Sequence, residues 1–266
     1  MSLRRPAGPR PAHAAALLVV VLLGALILSG CGADAEPQTT SPTASVPSQR
    51  PATTPDPDAE QPAPAAKRTL SGPLAFHVRH RARLRVGPGG RMVATIKTRT
   101  EFKSPTILAV VARRPGWVLV RTTLAKHHVG WLPVASGALF EQPRRIVIDL
   151  SAKTLTLFHR GKLTDRYRVA IGTSATPTPT GRYAVTDRLK TGDENSDYGC
   201  CILALNGHQE KIAQGWGGGD RIAIHATPHT WTIGKAVSHG CVRATNKALH
   251  QLMRKVRIGT PVRIKA

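Results

Sequence analysis

The chain has 266 residues, with 38 Lys and Arg against 15 Asp and Glu, a formal net charge of +23. The length allows one or two domains, but the first quarter does not have the composition of a globular unit. So basic a balance points first to nucleic acid, a partner that the N-terminal segment excludes.

Residues 1–31 read as an export signal. Arg4, Arg5 and Arg10 form a basic start, and Ala14 to Leu28 is an apolar run of 15 residues. That length suits a signal-peptide core and is short for a membrane span, which needs ~20 residues. The run ends in Leu28-Ser29-Gly30-Cys31, which resembles the lipobox of bacterial lipoproteins. That resemblance implies a lipidated Cys31 as the mature N-terminus and a multi-chain anchor of the kind stable membrane attachment requires. The expected location is the cell envelope, on the outer face of the cytoplasmic membrane. Outside the membrane the polyanions are wall polymers, lipid headgroups and carboxylate-bearing peptides. The alternative is a generally basic composition without a specific partner.

Residues 32–70 are expected to be a disordered linker. Eight prolines fall between residues 32 and 66, among Thr, Ser and Ala, with almost no large apolar residue; such a segment cannot form a core. Partly extended at ~3.1 Å per residue, it reaches on the order of 100 Å at most. The charge belongs to residues 72–266, which hold 32 Lys and Arg against 10 Asp and Glu.

Residues 71–142 read as a small all-β module. Short apolar runs such as "TILAVVA" and "WVLVRT" alternate with Gly and Pro turns, and Gly116-Trp117 and Gly130-Trp131 flank the second run. The pattern resembles the SH3-like modules attached to bacterial wall enzymes. His127 and His128, beside Lys126, are expected to be solvated in a hairpin loop. From residue 143 the alternation sharpens. "RIVIDL", "TLTLFHR", "LTDRYRVAIG", "RYAVTD", "CILALN", "RIAIHAT" and "PVRIKA" are strand candidates, and period two with short turns predicts antiparallel pairing. One helix is expected after Cys241, with Ala244, Ala248, Leu249, Leu252, Met253 and Val256 on its apolar face and Thr245 as a candidate N-cap. The fold class is mostly β, a β-sandwich with one packed helix.

Cysteine arithmetic narrows the chemistry. With Cys31 lipidated, Cys200, Cys201 and Cys241 remain, an odd number that leaves at least one thiol free. Cys200 and Cys201 open an apolar strand and are expected in the core. Cys241 has another setting. A thiol becomes a nucleophile as thiolate, from a pKa near 8.5, and an imidazole or a helix N-terminus favours that form. His239 stands two residues before it, His225 ends the strand "RIAIH", and the expected helix lies beyond it. Gly240 clears space for a substrate carbonyl, and the Gly240 and Cys241 N–H groups are candidate oxyanion donors. A buried Cys beside two structural His residues is the alternative.

The order His225, twelve intervening residues, then Ser238-His239-Gly240-Cys241-Val242-Arg243 resembles the signature of the L,D-transpeptidases with a YkuD-type catalytic domain. "TPTPTG", Thr176 to Gly181, and the pair Tyr198-Gly199 add to it, and the resemblance covers residues 143–266. It implies that Cys241 attacks the third-residue carbonyl of a peptidoglycan stem tetrapeptide, D-Ala leaves, and a second stem's amine resolves the thioester into a 3→3 cross-link. His225 would be the proton acceptor and donor, oriented by the Ala226 carbonyl, and His239 would support the oxyanion or substrate. Ser238, Gly240, Tyr198 and Arg243 would line the substrate or oxyanion site, Tyr198 as pocket wall or as packing, Arg243 as partner of a stem carboxylate or as a solvated residue. No metal or cofactor is implied. The partners are stem peptides, the membrane and anionic wall polymers. Ala226 departs from the Gly of many members, and Ala does not adopt left-handed angles as freely. Two other readings stand beside this one: a zinc hydrolase using His225, His239, Cys241 and His208 or His229, and a non-catalytic wall-polymer-binding lipoprotein.

Overall fold

Alternating apolar and polar side chains build seventeen strands within residues 72–212 and 220–266, the part described by the computed structural model. The segment read from sequence as an export signal, Cys31 and the proline-rich stretch lie outside the described residues. Among the described residues no helix is long and apolar enough to cross a membrane.

The first seven strands are β1 (Leu74–Val78), β2 (Ala82–Arg85), β3 (Met92–Ile96), β4 (Ile107–Arg114), β5 (Trp117–Arg121), β6 (Val129–Pro133) and β7 (Gly137–Glu141). They form one sheet in the order β3-β2-β6-β5-β4-β1-β7. Phe76, Val78, Leu84, Val118, Val120 and Leu132 turn to its inner face and are fully buried. Each such side chain contributes about 1.5–3 kcal/mol. His127 and His128 lie exposed in the short turn before β6.

The second set is β8 (Arg144–Asp149), β9 (Thr154–His159), β10 (Lys162–Arg168), β11 (Ile171–Gly172), β12 (Gly181–Lys190), β13 (Cys201–His208), β14 (Arg221–Thr227), β15 (Ala236–Ser238), β16 (Val242–Thr245) and β17 (Pro261–Lys265). Eight of these form a sheet in the order β10-β9-β8-β17-β12-β13-β14-β16, and β11 and β15 form a separate pair. Ile146, Ile148, Leu155, Leu157, Leu203, Leu205, Ile222 and Ile224 build its core. The helix α1 (Asn246–Lys255) lays Ala248, Leu249, Leu252 and Met253 against it. The Thr245 hydroxyl accepts from the Ala248 N–H at 3.2 Å, which satisfies one orphan donor of the first turn. Arg254 and Lys255 fall in the last turn, where cations complement the helix dipole. The fold is mostly β with one packed helix.

Two expectations change. The pairings β8–β17, β14–β16 and β11–β15 are parallel, because the intervening chain crosses over rather than turning back in a hairpin. Alternation reveals which side chains share a face but not the direction of the neighbouring strand. The helix also starts later than its apolar spacing suggests. Val242 and Ala244 are buried in β16, a four-residue strand that pairs with β14 before α1 begins.

The two sets meet through buried polar contacts. Asp187 of β12, with no exposed surface, accepts from the Thr100 hydroxyl and faces the Arg221 guanidinium at 3.4 Å. Arg221 also pairs with Glu101. A buried carboxylate is tolerated when paired and hydrogen-bonded in this way.

Candidate active site

Strand register places the reactive groups. In the parallel pair β14–β16, Ile224 lies beside Val242 and His225 beside Arg243. One step back sets Cys241 beside Ala223, whose backbone hydrogen-bonds the thiol. Side chains alternate across a strand, so His225, Cys241 and Arg243 share a face. They open into one cavity of about 530 Å³, lined also by Tyr198, His239 and Gln209.

The turn bearing Cys241 is held from within. The buried Ser238 hydroxyl donates to the Cys241 carbonyl at 2.5 Å and accepts from the Gly240 N–H at 3.2 Å. Thr173 N–H and the Thr176 hydroxyl both donate to the Ser238 carbonyl, which ties "TPTPTG" to the turn. Gly240 has φ +113°, and a Cβ there would sit 2.6 Å from Gln209 Nε2. Its N–H, a candidate oxyanion donor, hydrogen-bonds the Ser238 hydroxyl here. The helix N-terminus is not at the thiol. The four residues of β16 stand between Cys241 and α1, and the Asn246 side chain, in the first turn of α1, accepts from the Cys200 N–H at 2.8 Å.

His225 is almost fully buried. Its Nδ1 lies 2.6 Å from the Ala226 carbonyl oxygen, which can only accept. Nδ1 therefore carries the hydrogen, and Nε2 is left as the basic nitrogen. Burial pushes the imidazole from 6.5 down to about 4; the Ala226 hydrogen bond opposes this, and the Arg243 charge adds to it. Burial also raises the Cys241 thiol above its ordinary value, although the Ala223 hydrogen bond and the Arg243 charge pull the other way. At neutral pH the pair rests as thiol and neutral imidazole.

Ala226 sits in extended β14 with no exposed surface, so the position makes no demand for left-handed angles. That demand falls on Gly199, with φ +56°. A Cβ on Gly199 would meet Asn246 Oδ1 at 2.4 Å and Ala226 Cβ at 2.5 Å. This close approach carries the Tyr198 ring to 4.9 Å from the His225 ring. Tyr198 and Arg243 both line the cavity, and Arg243 Nε is buried without a hydrogen-bond partner. His239 lines the same cavity from an exposed position.

Other residues are placed differently. Cys200 and Cys201 are buried as expected but joined to each other in a vicinal disulfide, leaving Cys241 as the free cysteine among the described residues. The zinc set is not gathered. Among the described residues, the three metal-ligand side chains with donor atoms within 4.8 Å of one another are Cys200, Cys201 and His250. His208 is bound to Asp220 at 2.6 Å, and His229 faces Asp197 at 3.9 Å. Asp197, Gln209 and Asp220 line the cavity unforeseen; each arrives on a loop or strand end with no motif around it.

The family model and the curated relatives that match the chain point to one family. Residues 143–264 match the model of the YkuD family, the L,D-transpeptidase catalytic domain. Over 122 residues the chain is 34% identical to the proteins of Bacillus licheniformis and Bacillus subtilis provisionally named L,D-transpeptidase YkuD. The match spans 46% of this chain and 66% of each relative. Among solved structures, an L,D-transpeptidase from Mycobacterium tuberculosis H37Rv is 19% identical, with a TM-score of 0.40 over 52% of this chain and 72% of that one. The catalytic domain of the E. faecium L,D-transpeptidase is 22% identical, with a TM-score of 0.34 over 47% and 98%.

Proposed function

Since residues 143–264 match the YkuD family of L,D-transpeptidase catalytic domains, we propose that the chain is a peptidoglycan L,D-transpeptidase with Cys241 as nucleophile. The observation that carries the reading is the shared cavity of Cys241, His225, Tyr198 and Arg243, with the imidazole locked in the tautomer that leaves Nε2 basic.

The geometry supports a concerted first step. Because the thiol is held up and the imidazole down, proton transfer accompanies attack instead of preceding it. As the Cys241 sulfur bonds to the carbonyl carbon of the third residue of a stem tetrapeptide, its proton passes to His225 Nε2. The tetrahedral intermediate collapses, His225 returns the proton to the departing amine, and D-Ala leaves. The thioester is then attacked by the side-chain amine of a second stem, whose proton His225 accepts. Cys241 leaves as thiolate and is reprotonated, and a 3→3 peptide bond remains. Arg243, buried with an unpartnered Nε, suits a carboxylate of the stem as a bidentate partner. His239, exposed and lining the same cavity, supports the oxyanion or the substrate.

We also propose attachment through lipid at Cys31, with residues 32–70 as the arm that lets the enzyme work in the wall. Incubation of the chain with a disaccharide tetrapeptide tests the activity. Release of D-Ala with formation of a dimer joined between third residues supports it; hydrolysis alone, or no product, contradicts it. Mass spectrometry of the mature N-terminus tests attachment, and an unmodified terminus elsewhere contradicts it.

A further inference from the structure

A second cavity, of about 320 Å³, lies between β4–β5 on one side and β8, β17 and β12 on the other. Arg121, Arg145, Arg182 and Arg263 line it, and no carboxylate does. We infer that this crevice is a binding site for a linear phosphodiester polyanion, held by these four arginines.

The register makes the case. Arg182 of β12 lies directly across from Arg263 of β17, and Arg263 lies directly across from Val147 of β8. Like charges directly opposite on neighbouring strands oppose folding. The next pair on the same face of these strands is Lys265 and Asp149, joined at 2.5 Å, so the carboxylate on this face is already taken. Elsewhere in this half, Asp165 is bound to Lys255 and Asp187 faces Arg221. From the other side comes Arg121, half-buried, its guanidinium held below the usual value by burial and by the Arg182 charge. Arg145 lines the crevice and lays its guanidinium over the Phe158 ring at 4.1 Å. Among the described residues, none of the four has a carboxylate within ion-pair distance. A fold that converges four guanidinium groups with no counter-charge is completed by an anion.

The chemistry of that anion follows from the arrangement. One guanidinium fork matches the two coplanar oxygens of a carboxylate. A phosphodiester has non-bridging oxygens that diverge, so one group engages forks from both sides of the crevice. Val110 and Val111 supply an apolar wall for the links between charges. The crevice is long enough for more than one anion, because Arg121, Arg182 and Tyr183 also line an adjoining cavity of about 650 Å³. That cavity meets the catalytic one at Gln209, with Glu210 and Lys211 both on its wall, and none of the four arginines lines the catalytic cavity. The site is therefore an ancillary anchor and not a substrate subsite, and it does not depend on the transpeptidase reading.

The test is calorimetric titration of the full chain in detergent with a synthetic hexamer of glycerol phosphate, at physiological ionic strength. The probe for comparison is hexagalacturonate, a carboxylate polymer of equal charge count. Binding of the glycerol phosphate hexamer should weaken by at least about tenfold in Arg182→Gln/Arg263→Gln, the scale of losing charge-assisted hydrogen bonds. It should hold within about twofold in Arg79→Gln/Arg166→Gln, which removes the same charge from exposed positions elsewhere. Without polymer, Arg182→Gln should keep or raise the thermal midpoint, since it relieves a like-charge contact. Acylation of Cys241 should be undiminished by the bound hexamer. Equal losses in the two double variants, equal affinity for hexagalacturonate, no binding, a lowered midpoint or blocked acylation would each overturn the inference.

Discussion

Gly199→Ala perturbs the site without removing any reactive group. The cost has two parts. At φ +56° an alanine is strained, by about 1–2 kcal/mol for a left-handed L-residue. Its methyl group would also lie 2.4 Å from Asn246 Oδ1, 2.5 Å from Ala226 Cβ and 2.8 Å from the Ala226 carbonyl carbon. The backbone must shift to accept it, and overpacking of this kind costs about 1–3 kcal/mol. The expected destabilisation is therefore ~2–5 kcal/mol. What moves is the Ala226 peptide, whose oxygen orients His225, together with Tyr198 beside the ring. Acylation by a carbapenem should slow even where the variant is folded. Gly192→Ala is the control. Gly192 has φ +80° but nothing within 4 Å of an added Cβ, so it should lose only ~1–2 kcal/mol and acylate at the wild-type rate. Urea denaturation and intact-mass acylation kinetics on both variants separate the two contributions. Equal destabilisation, or wild-type acylation in Gly199→Ala, would refute the claim that this contact positions the imidazole.

Three further outcomes are expected. His225 binds its proton in the folded state only near pH 4, whereas the unfolded chain binds it near 6.5. Its burial therefore favours folding above pH 6.5, and that contribution falls away as pH drops from 6.5 toward 4. NMR titration of the imidazole should show the low midpoint, and acylation should have no acidic limb near 6.5; a midpoint there contradicts the site's electrostatics. His225→Ala should slow acylation by ~10²–10⁴-fold, as loss of a general base does, in a protein that still folds by circular dichroism. Peptide mapping under non-reducing conditions should recover Cys200 joined to Cys201 and alkylation at Cys241; Cys200→Ala and Cys201→Ala should retain acylation.

The proposed catalytic pair is legible in sequence because its motif is compact. Ser238 to Cys241 forms one turn, and His225 ends an alternating strand whose neighbour the motif itself supplies. The helix is legible in Leu249, Leu252 and Met253, and its start in Thr245, which caps it as expected, but the short strand before it is not. Ala244 fits a helical period and a strand period equally, and pairing with distant β14 decides between them. The expected help from a helix dipole fails for that reason. The vicinal disulfide has no local signal, since adjacent cysteines in an apolar strand read equally as core. Arg121, Arg145, Arg182 and Arg263 are scattered over four strands, and register alone assembles them.

The most direct measurement is the intact mass of wild type and Cys241→Ala after incubation with the disaccharide tetrapeptide. Wild type should gain the donor less D-Ala as a thioester, and Cys241→Ala, folded by circular dichroism, should gain nothing. An adduct that persists in Cys241→Ala, or that maps to Cys200 or Cys201, would contradict the assignment of Cys241 as the nucleophile.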